Sequence, residues 1–224
     1  MDRDILKDLL ADREAKRSVV LATVLESGAQ RLIRPGDGDP LQAEAEAAIR
    51  ADKPATVDTD DGQVFLNVFN PPLRMIIVGA VHIAQFLAPM AQMTGYAVTI
   101  IDPRQAWATP ERFPDIRIVD EWPDDAMAEL TPDHRTAIVT LTHDPKLDDP
   151  ALQAALKSEA FYVGSLGSTR THAKRVQRLE GAGLSADEIG RIHAPVGLDI
   201  GAKSPAEIAV SVMAQVTAAL RGAA

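Results

Sequence analysis

Two glycine turns, each leading from an apolar run into a helical pattern, are the places where this chain could hold an anion. The first is Met75-Ile-Ile-Val-Gly79-Ala-Val-His-Ile-Ala84. A strand that turns through glycine into a helix aims free backbone N–H groups and the positive end of the helix dipole at one point, which favours a phosphate. Gly79, Ala80, Val81 and His82 are the candidate contacts there. About 23 residues on, Asp102 in Ile100-Ile-Asp-Pro-Arg104 stands where a carboxylate can accept from ribose hydroxyls, with Arg104 beside it. The middle glycine of the dinucleotide fingerprint is replaced by Val81, whose side chain obstructs close approach of a pyrophosphate, while Ala84 is an ordinary third residue. His82 could donate to a phosphate, although a lone histidine at a helix start equally suits a surface role.

The second turn is Tyr162-Val-Gly164-Ser-Leu-Gly167-Ser168-Thr-Arg170-Thr-His172, again an anion site by geometry. Its candidate contacts are Gly164, Ser165, Gly167, Ser168, Arg170 and His172. Arg170, Lys174 and Arg178 share one helical face at i, i+4, i+8 spacing; the stripe could be solvated, but in an acidic chain a local basic cluster suits phosphates. Two further loops carry titratable groups. Leu141-Thr-His143-Asp144 ends another apolar run, and His193-Ala-Pro195-Val-Gly-Leu-Asp199-Ile-Gly201 is too glycine-rich for a strand interior and reads as a shaped loop. His143, Asp144 and His193 are the candidate general acids or bases. No nucleophile elbow, H-E-x-x-H or Walker loop is present, so no catalytic set emerges and a binding role is favoured over enzymatic chemistry.

Composition narrows the chemistry further. The chain has no cysteine, which excludes disulfides, thiolate metal sites, iron–sulfur clusters and cysteine nucleophiles. A formal net charge of −9 argues against a general phosphate-backbone binder, so nucleic acid is not an expected partner. The leading segment, Met1 to Glu14, alternates charge with leucine and lacks the pattern of a secretory signal; no run is long and apolar enough to span a membrane, and a cytoplasmic location is expected. No metal ligand cluster is expected.

The elements that must position these residues follow from periodicity. Asp2 to Lys16 reads as an amphipathic helix, followed by strands at 18–25 and 31–34 around Ser27-Gly28, a helix from Leu41 to Ala51, and strands at 56–59 and 64–68 around the Asp60-Asp61-Gly62 turn. Asn70-Pro71-Pro72 stops regular structure and marks a boundary, giving a small α+β N-terminal domain over 1–72 and a second domain over 73–224. In the second, short β-branched runs at 75–78, 97–101, 116–119, 136–141 and 161–163 alternate with helices, the signature of a Rossmann-like α/β parallel sheet with helices on both faces. Helix starts are expected at Thr131-Pro-Asp, at Asp149-Pro and at the capping box Ser204-Pro-Ala-Glu207, the last opening a helix to about Leu220. Pro89 falls inside the helix after Gly79. The apolar C-terminal helix could support a homodimer, though burial against the sheet is the commoner use.

Five stretches, in order, resemble the XdhC/CoxI family of maturation factors for xanthine dehydrogenase and carbon monoxide dehydrogenase: Ile77-Val-Gly-Ala-Val-His-Ile-Ala84, Ile101-Asp-Pro-Arg104, Thr142-His-Asp144, Tyr162-Val-Gly-Ser-Leu-Gly-Ser168, and His193-Ala-Pro-Val-Gly-Leu-Asp-Ile-Gly201 followed by Pro205-Ala-Glu-Ile-Ala209. The likeness covers about two thirds of the chain. It implies a protein that binds molybdenum cofactor, as molybdopterin or its dinucleotide, and hands it to an apo-molybdoenzyme, often with a sulfurtransferase partner. The glycine-rich, cysteine-bearing N-terminal segment of the family is absent here, so the chain resembles a shortened member and any sulfur must come from another protein. The residues alone leave open two other readings, an NAD(P)-dependent oxidoreductase and a nucleotide-sensing binding protein.

Overall fold

The structure, a computed structural model, describes residues 2–60 and 62–222 and divides into two compact units, 1–71 and 72–224. In the first, helix α1 (Arg3–Glu14) precedes strands β1 (Val19–Val24) and β2 (Gln30–Ile33), helix α2 (Gln42–Ala51), and strands β3 (Ala55–Thr59) and β4 (Gly62–Phe69). The strands pair antiparallel in the order β2-β1-β4-β3. Alternate residues Val20, Ala22, Val64 and Leu66 share one face and pack with Ile33 and Ala45, while Val19 and Leu21 of β1 are buried on the opposite face. Asp12, fully buried on α1, accepts from Arg17 Nε and Arg34 Nε, both at 2.9 Å, tying the helix to the end of β2. Thr59 pairs with Gly62 across the tight turn; Asp61 itself lies outside the described residues.

The second unit contains β5 (Arg74–Val78), α3 (His82–Met93), β6 (Ala97–Ile101), β7 (Arg117–Val119), α4 (Pro123–Leu130), β8 (Thr136–Thr140), α5 (Pro145–Lys157), β9 (Tyr162–Ser165), α6 (Thr169–Gly181), α7 (Ala186–Gly190), β10 (Ile192–His193) and α8 (Pro205–Arg221). All six strands run parallel in the order β10-β9-β8-β5-β6-β7. The chain starts in the middle of the sheet, builds outward to β7, then returns to build the other half. Strand order therefore reverses between β5 and β8, which is the Rossmann arrangement with its crevice at the carboxyl ends of those two strands.

The two faces are sorted by the two-residue period of the strands. Met75, Ile77, Ala137 and Val139 face a core filled by Leu87, Ala88 and Ala91 of α3 and Ala209, Val212 and Val216 of α8. Ile76, Val78 and Ile138 face the other core, filled by Met127 of α4, Leu152 and Ala155 of α5, and Leu179 of α6. A sheet buried on both faces needs nearly continuous apolar strands, which is why β5 and β8 were legible as short branched runs.

Two expected helix starts are corrected. Thr131 is the left-handed C-cap of α4, with φ +42°, so Thr131-Pro132 ends a helix; proline cannot continue it and Asp133 instead accepts from Arg135 N and Thr136 Oγ1. Asp149-Pro150 lies inside α5, which begins one turn earlier, where Asp144 accepts from Lys146 N and Pro145 takes the first helical position. The Ser204 box forms as expected: Ser204 Oγ accepts from Glu207 N at 3.3 Å and Glu207 Oε2 accepts from Ser204 N at 2.8 Å. β9 extends to Ser165, and β10, read from the sequence as loop, adds a short sixth strand. No helix among the described residues is long and apolar enough to cross a membrane.

Candidate functional site

The two loops at the strand reversal are locked together by Gly79. Its φ is +111°, and a Cβ built on it would lie 2.5 Å from Thr142 Cγ2, so glycine is required both by conformation and by the approach of the β8 loop. Ala80 N donates to Asp102 Oδ2 at 2.8 Å, and Arg104 adds its backbone N, Nε and Nη2 at 3.0, 2.8 and 2.7 Å. Asp102 is thus completely buried and saturated from within its own neighbourhood. Burial pushes its carboxyl up, but these donors outweigh burial and hold it below the usual carboxylate value. Arg112 Nη1 donates to Ala80 O at 2.9 Å, closing the turn from its other side. Val81, the N-cap of α3, offers no side-chain acceptor to the first-turn N–H groups, and His82 is exposed beside it.

Across the reversal, the β8 loop is organised by Asp148. Its Oδ1 accepts from Thr142 Oγ1 at 2.7 Å and Thr142 N at 3.3 Å, and its Oδ2 from His143 N at 3.1 Å. This holds His143 at φ +62°, a conformation that non-glycine residues adopt rarely and that commonly marks a functional loop. Asp144 is committed to capping α5, whereas the His143 side chain is exposed. Beneath the loop, Arg175 Nη2 lies 4.0 Å from Asp148 Oδ2 and donates to Leu166 O at 2.9 Å. Burial dominates both partners, raising the Asp148 carboxyl and lowering the Arg175 guanidinium from their ordinary values.

Between the starts of α5 and α6 lies a cleft of about 330 Å³, lined by His143, Pro145 and Asp148 on one side and by Arg170, Thr171, Lys174, Arg175 and Arg178 on the other. Arg178 is neutralised by a two-point pair with Asp149 at 2.5 and 3.0 Å. Arg170 and Lys174 are exposed and have no ion-pair partner among the described residues. Arg175, only 2% exposed, has no hydrogen-bond partner for Nε or Nη1. Excess positive charge is concentrated here in a chain of net charge −9.

The structure brings His143, Arg170, Lys174 and Arg178 to one cleft. Gly167, at φ +139°, and Ser168, which accepts from Thr171 N at 3.2 Å, shape the start of α6. His172 is not among the residues that line the cleft; its Nδ1 is buried without a hydrogen-bond partner and its ring is held below the usual histidine value by burial and by Arg175. Ser165 is wholly buried and its hydroxyl pairs with Thr140 at 2.5 Å; a Cβ on Gly164 would strike Val196 and Tyr162, so both residues serve the sheet. His193 stacks on Tyr162 with ring centroids 4.7 Å apart, away from His143, and Asp199 is exposed in the loop before α8. The sequence reading missed Arg175 and Asp148. The available signal was the position of Arg175 four residues before buried Leu179, on the apolar face of α6. Among the described residues no group of histidine and carboxylate side chains could hold a metal ion.

Residues 75–216 match the family described as the XdhC Rossmann domain. Over 148 residues, 66% of this chain, the sequence is 37% identical to the molybdenum cofactor insertion chaperone PaoD of Escherichia coli (strain K12), of which the match covers 40%. It is 33% identical over 155 residues, 68% of this chain, to a Bacillus subtilis (strain 168) protein named as a probable subunit of xanthine dehydrogenase, covering 44% of that protein. The chain thus spans less than half the length of these two relatives. A crystal structure described as a xanthine dehydrogenase from Bacillus halodurans superposes with a TM-score of 0.68 and 25% identity, covering 98% of this chain and 65% of the other. With the family model matching well over half of the chain, and with the fold and the two glycine turns in place, this protein belongs to the XdhC family.

Proposed function

We propose that this chain binds molybdenum cofactor, as molybdopterin or its dinucleotide, at the carboxyl edge of the parallel sheet and delivers it to an apo-molybdoenzyme of the xanthine dehydrogenase or carbon monoxide dehydrogenase class. The observation that carries the reading is the 37% identity over 148 residues to a protein named as a molybdenum cofactor insertion chaperone, beside a family match over residues 75–216 that includes the cationic cleft. The residues fit such cargo: molybdopterin ends in a phosphate, and the cleft offers unpaired cations and a buried guanidinium with two unpartnered nitrogens. Delivery without catalysis suits a site in which Asp144 is tied up as a helix cap and His143 and His193 stand apart. A chain without cysteine cannot carry sulfur, so any sulfuration requires a sulfurtransferase partner.

Binding of NAD(P) is the alternative favoured by the strand order and by Asp102 at the end of β6. The saturation of Asp102 by Ala80 and Arg104 weighs against it, because a carboxylate already accepting four hydrogen bonds is poorly placed to hold ribose hydroxyls. Protein purified from a host that makes molybdenum cofactor should carry molybdenum and give oxidised-pterin fluorescence in fixed ratio. It should also activate an apo-dehydrogenase when loaded. Stoichiometric NADPH with no pterin would overturn the proposal.

A further inference from the structure

We propose that the α5–α6 cleft is a site for a terminal phosphomonoester, with Arg175 as its buried base and Arg170 and Lys174 as its rim. The proposal deepens the cofactor-binding reading and rests on it only for the identity of the molecule that carries the phosphate. A guanidinium as buried as that of Arg175 ordinarily has its donors paired, since each unpaired one forfeits hydration without compensation. Arg175 leaves Nε and Nη1 unpartnered, and its Nη2 meets a carboxylate only at 4.0 Å. A helix packing against α5 gains nothing from such an arrangement when leucine would fill the space. The guanidinium makes sense as the floor of a cleft that receives an anion.

The charge arrangement indicates which anion. Asp149 cancels Arg178, and Asp148 partly offsets Arg175, leaving the two exposed cations one turn apart on α6 as the net surplus. A phosphomonoester carries between about −1.5 and −2 at neutral pH on three terminal oxygens, enough to engage the rim and the floor together. Each phosphate of a dinucleotide diphosphate is a diester carrying a single charge, with its oxygens shielded on both sides. The volume of about 330 Å³ holds one phosphate and the first atoms of its carrier, with the remainder extending from the mouth. The cofactor form that this site selects is therefore molybdopterin ending in a free phosphate rather than the dinucleotide.

Inorganic phosphate, AMP and NAD+ serve as probes, measured by calorimetric titration and thermal shift on the full chain. Phosphate and AMP should bind, AMP at least tenfold more tightly than NAD+. The double variant Arg170→Met with Lys174→Met, both at exposed positions, should unfold at the same temperature as wild type without ligand and lose at least tenfold in phosphate and AMP affinity. Arg175→Met should lose the same binding; because that change could also impair folding, the rim variant carries the decision. Unchanged phosphate binding in the rim variant, or equal affinity for AMP and NAD+, would overturn the proposal. If phosphate binds as described but the protein never carries pterin, the phosphate site stands and the cofactor reading falls.

Discussion

The turns at Gly79 and at Gly164–Ser168 share a sequence signature, and the structure gives them opposite tools. At Gly79 the chain is closed on itself: Ala80 N is bonded to Asp102, Ala80 O accepts from Arg112, and Thr142 fills the space in front of the glycine. What remains for a ligand is the start of α3, where Val81 leaves the first-turn N–H groups without a capping side chain. At the second turn the helix start is already capped by Ser168, and the positive charge beside it is carried by side chains, Arg170, Lys174 and Arg175. A glycine turn before a helix thus does not by itself define an anion site. What decides is which donors the fold has already used: one turn has backbone N–H groups left to offer, the other side-chain charge.

Alanine in place of the two glycines tests that contrast most severely. Gly79→Ala combines a positive φ with a contact of 2.5 Å against Thr142 Cγ2, so it should destabilise the protein by about 3 kcal/mol in urea unfolding. Gly167→Ala meets Thr171 Cγ2 at the longer distance of 3.0 Å, on a half-exposed residue, and should cost about half as much. Equal losses would show that Gly79 is not the tighter lock. Asp102→Asn should come next, at about 2 to 3 kcal/mol near neutral pH, because it leaves Arg104 and Ala80 facing an amide donor.

The same carboxylate gives a pH signature opposite to that of Asp148. Asp102 sits below its usual value of 3.8 in the folded protein, so its contribution is present above that pH and is lost as pH falls through the folded value. Asp148 sits above 3.8, so the stability it contributes is present when it is protonated, below the unfolded value, and is lost as pH rises through the folded one. Stability of wild type relative to Asp102→Asn should therefore rise with pH on the acid side, while relative to Asp148→Asn it should fall as pH climbs above 3.8. Unfolding free energies measured from about pH 3 to about pH 6 read both slopes. Slopes of the same sign would show that the neighbours of Asp148 outweigh its burial.

Most of the fold was legible because it is written in local pattern. β5 and β8 are buried on both faces and had to be short apolar runs, and Ser204 with Glu207 could hardly do anything other than cap a helix. The misread helix starts had a shared cause: Thr131-Pro132 and Asp149-Pro150 carry the chemistry of a helix start, but proline also follows helix ends, and Asp144-Pro145 offers the same cap five residues before Asp149-Pro150. The loop ends at Gly79, Asp102, His143 and Ser168 were visible for the same local reason. Arg175 was not, because its burial is decided by the packing of α5 against α6 and by Asp148, 27 positions earlier in the chain. In one dimension it is simply one cation among several on a polar helix.

The caps offer a gentler way to separate the two turns. Ser168→Ala removes the acceptor for Thr171 N and should cost about 1 kcal/mol, with α6 and its cations still present, so cofactor retention should drop only slightly.

Val81→Thr is the complementary change at the other turn, and it has the smallest expected effect on stability. Val81 already has the extended backbone of an N-cap, φ −85° and ψ 176°, and threonine keeps the branched shape that packs against the first core. Ala84 N already donates to Val81 O at 3.1 Å, so the new hydroxyl should accept from the N–H of Ile83 and stabilise α3 by about 0.5 kcal/mol, visible as a small rise in the unfolding midpoint. Satisfying that donor also competes with any ligand phosphate at the start of α3. If the backbone of the first turn helps to hold the cofactor, retention must fall although the protein has become more stable, an opposition that general loosening of the fold cannot produce. A more stable variant with full retention would assign the anion entirely to the charged cleft of α6 and reduce the Gly79 turn to a structural lock.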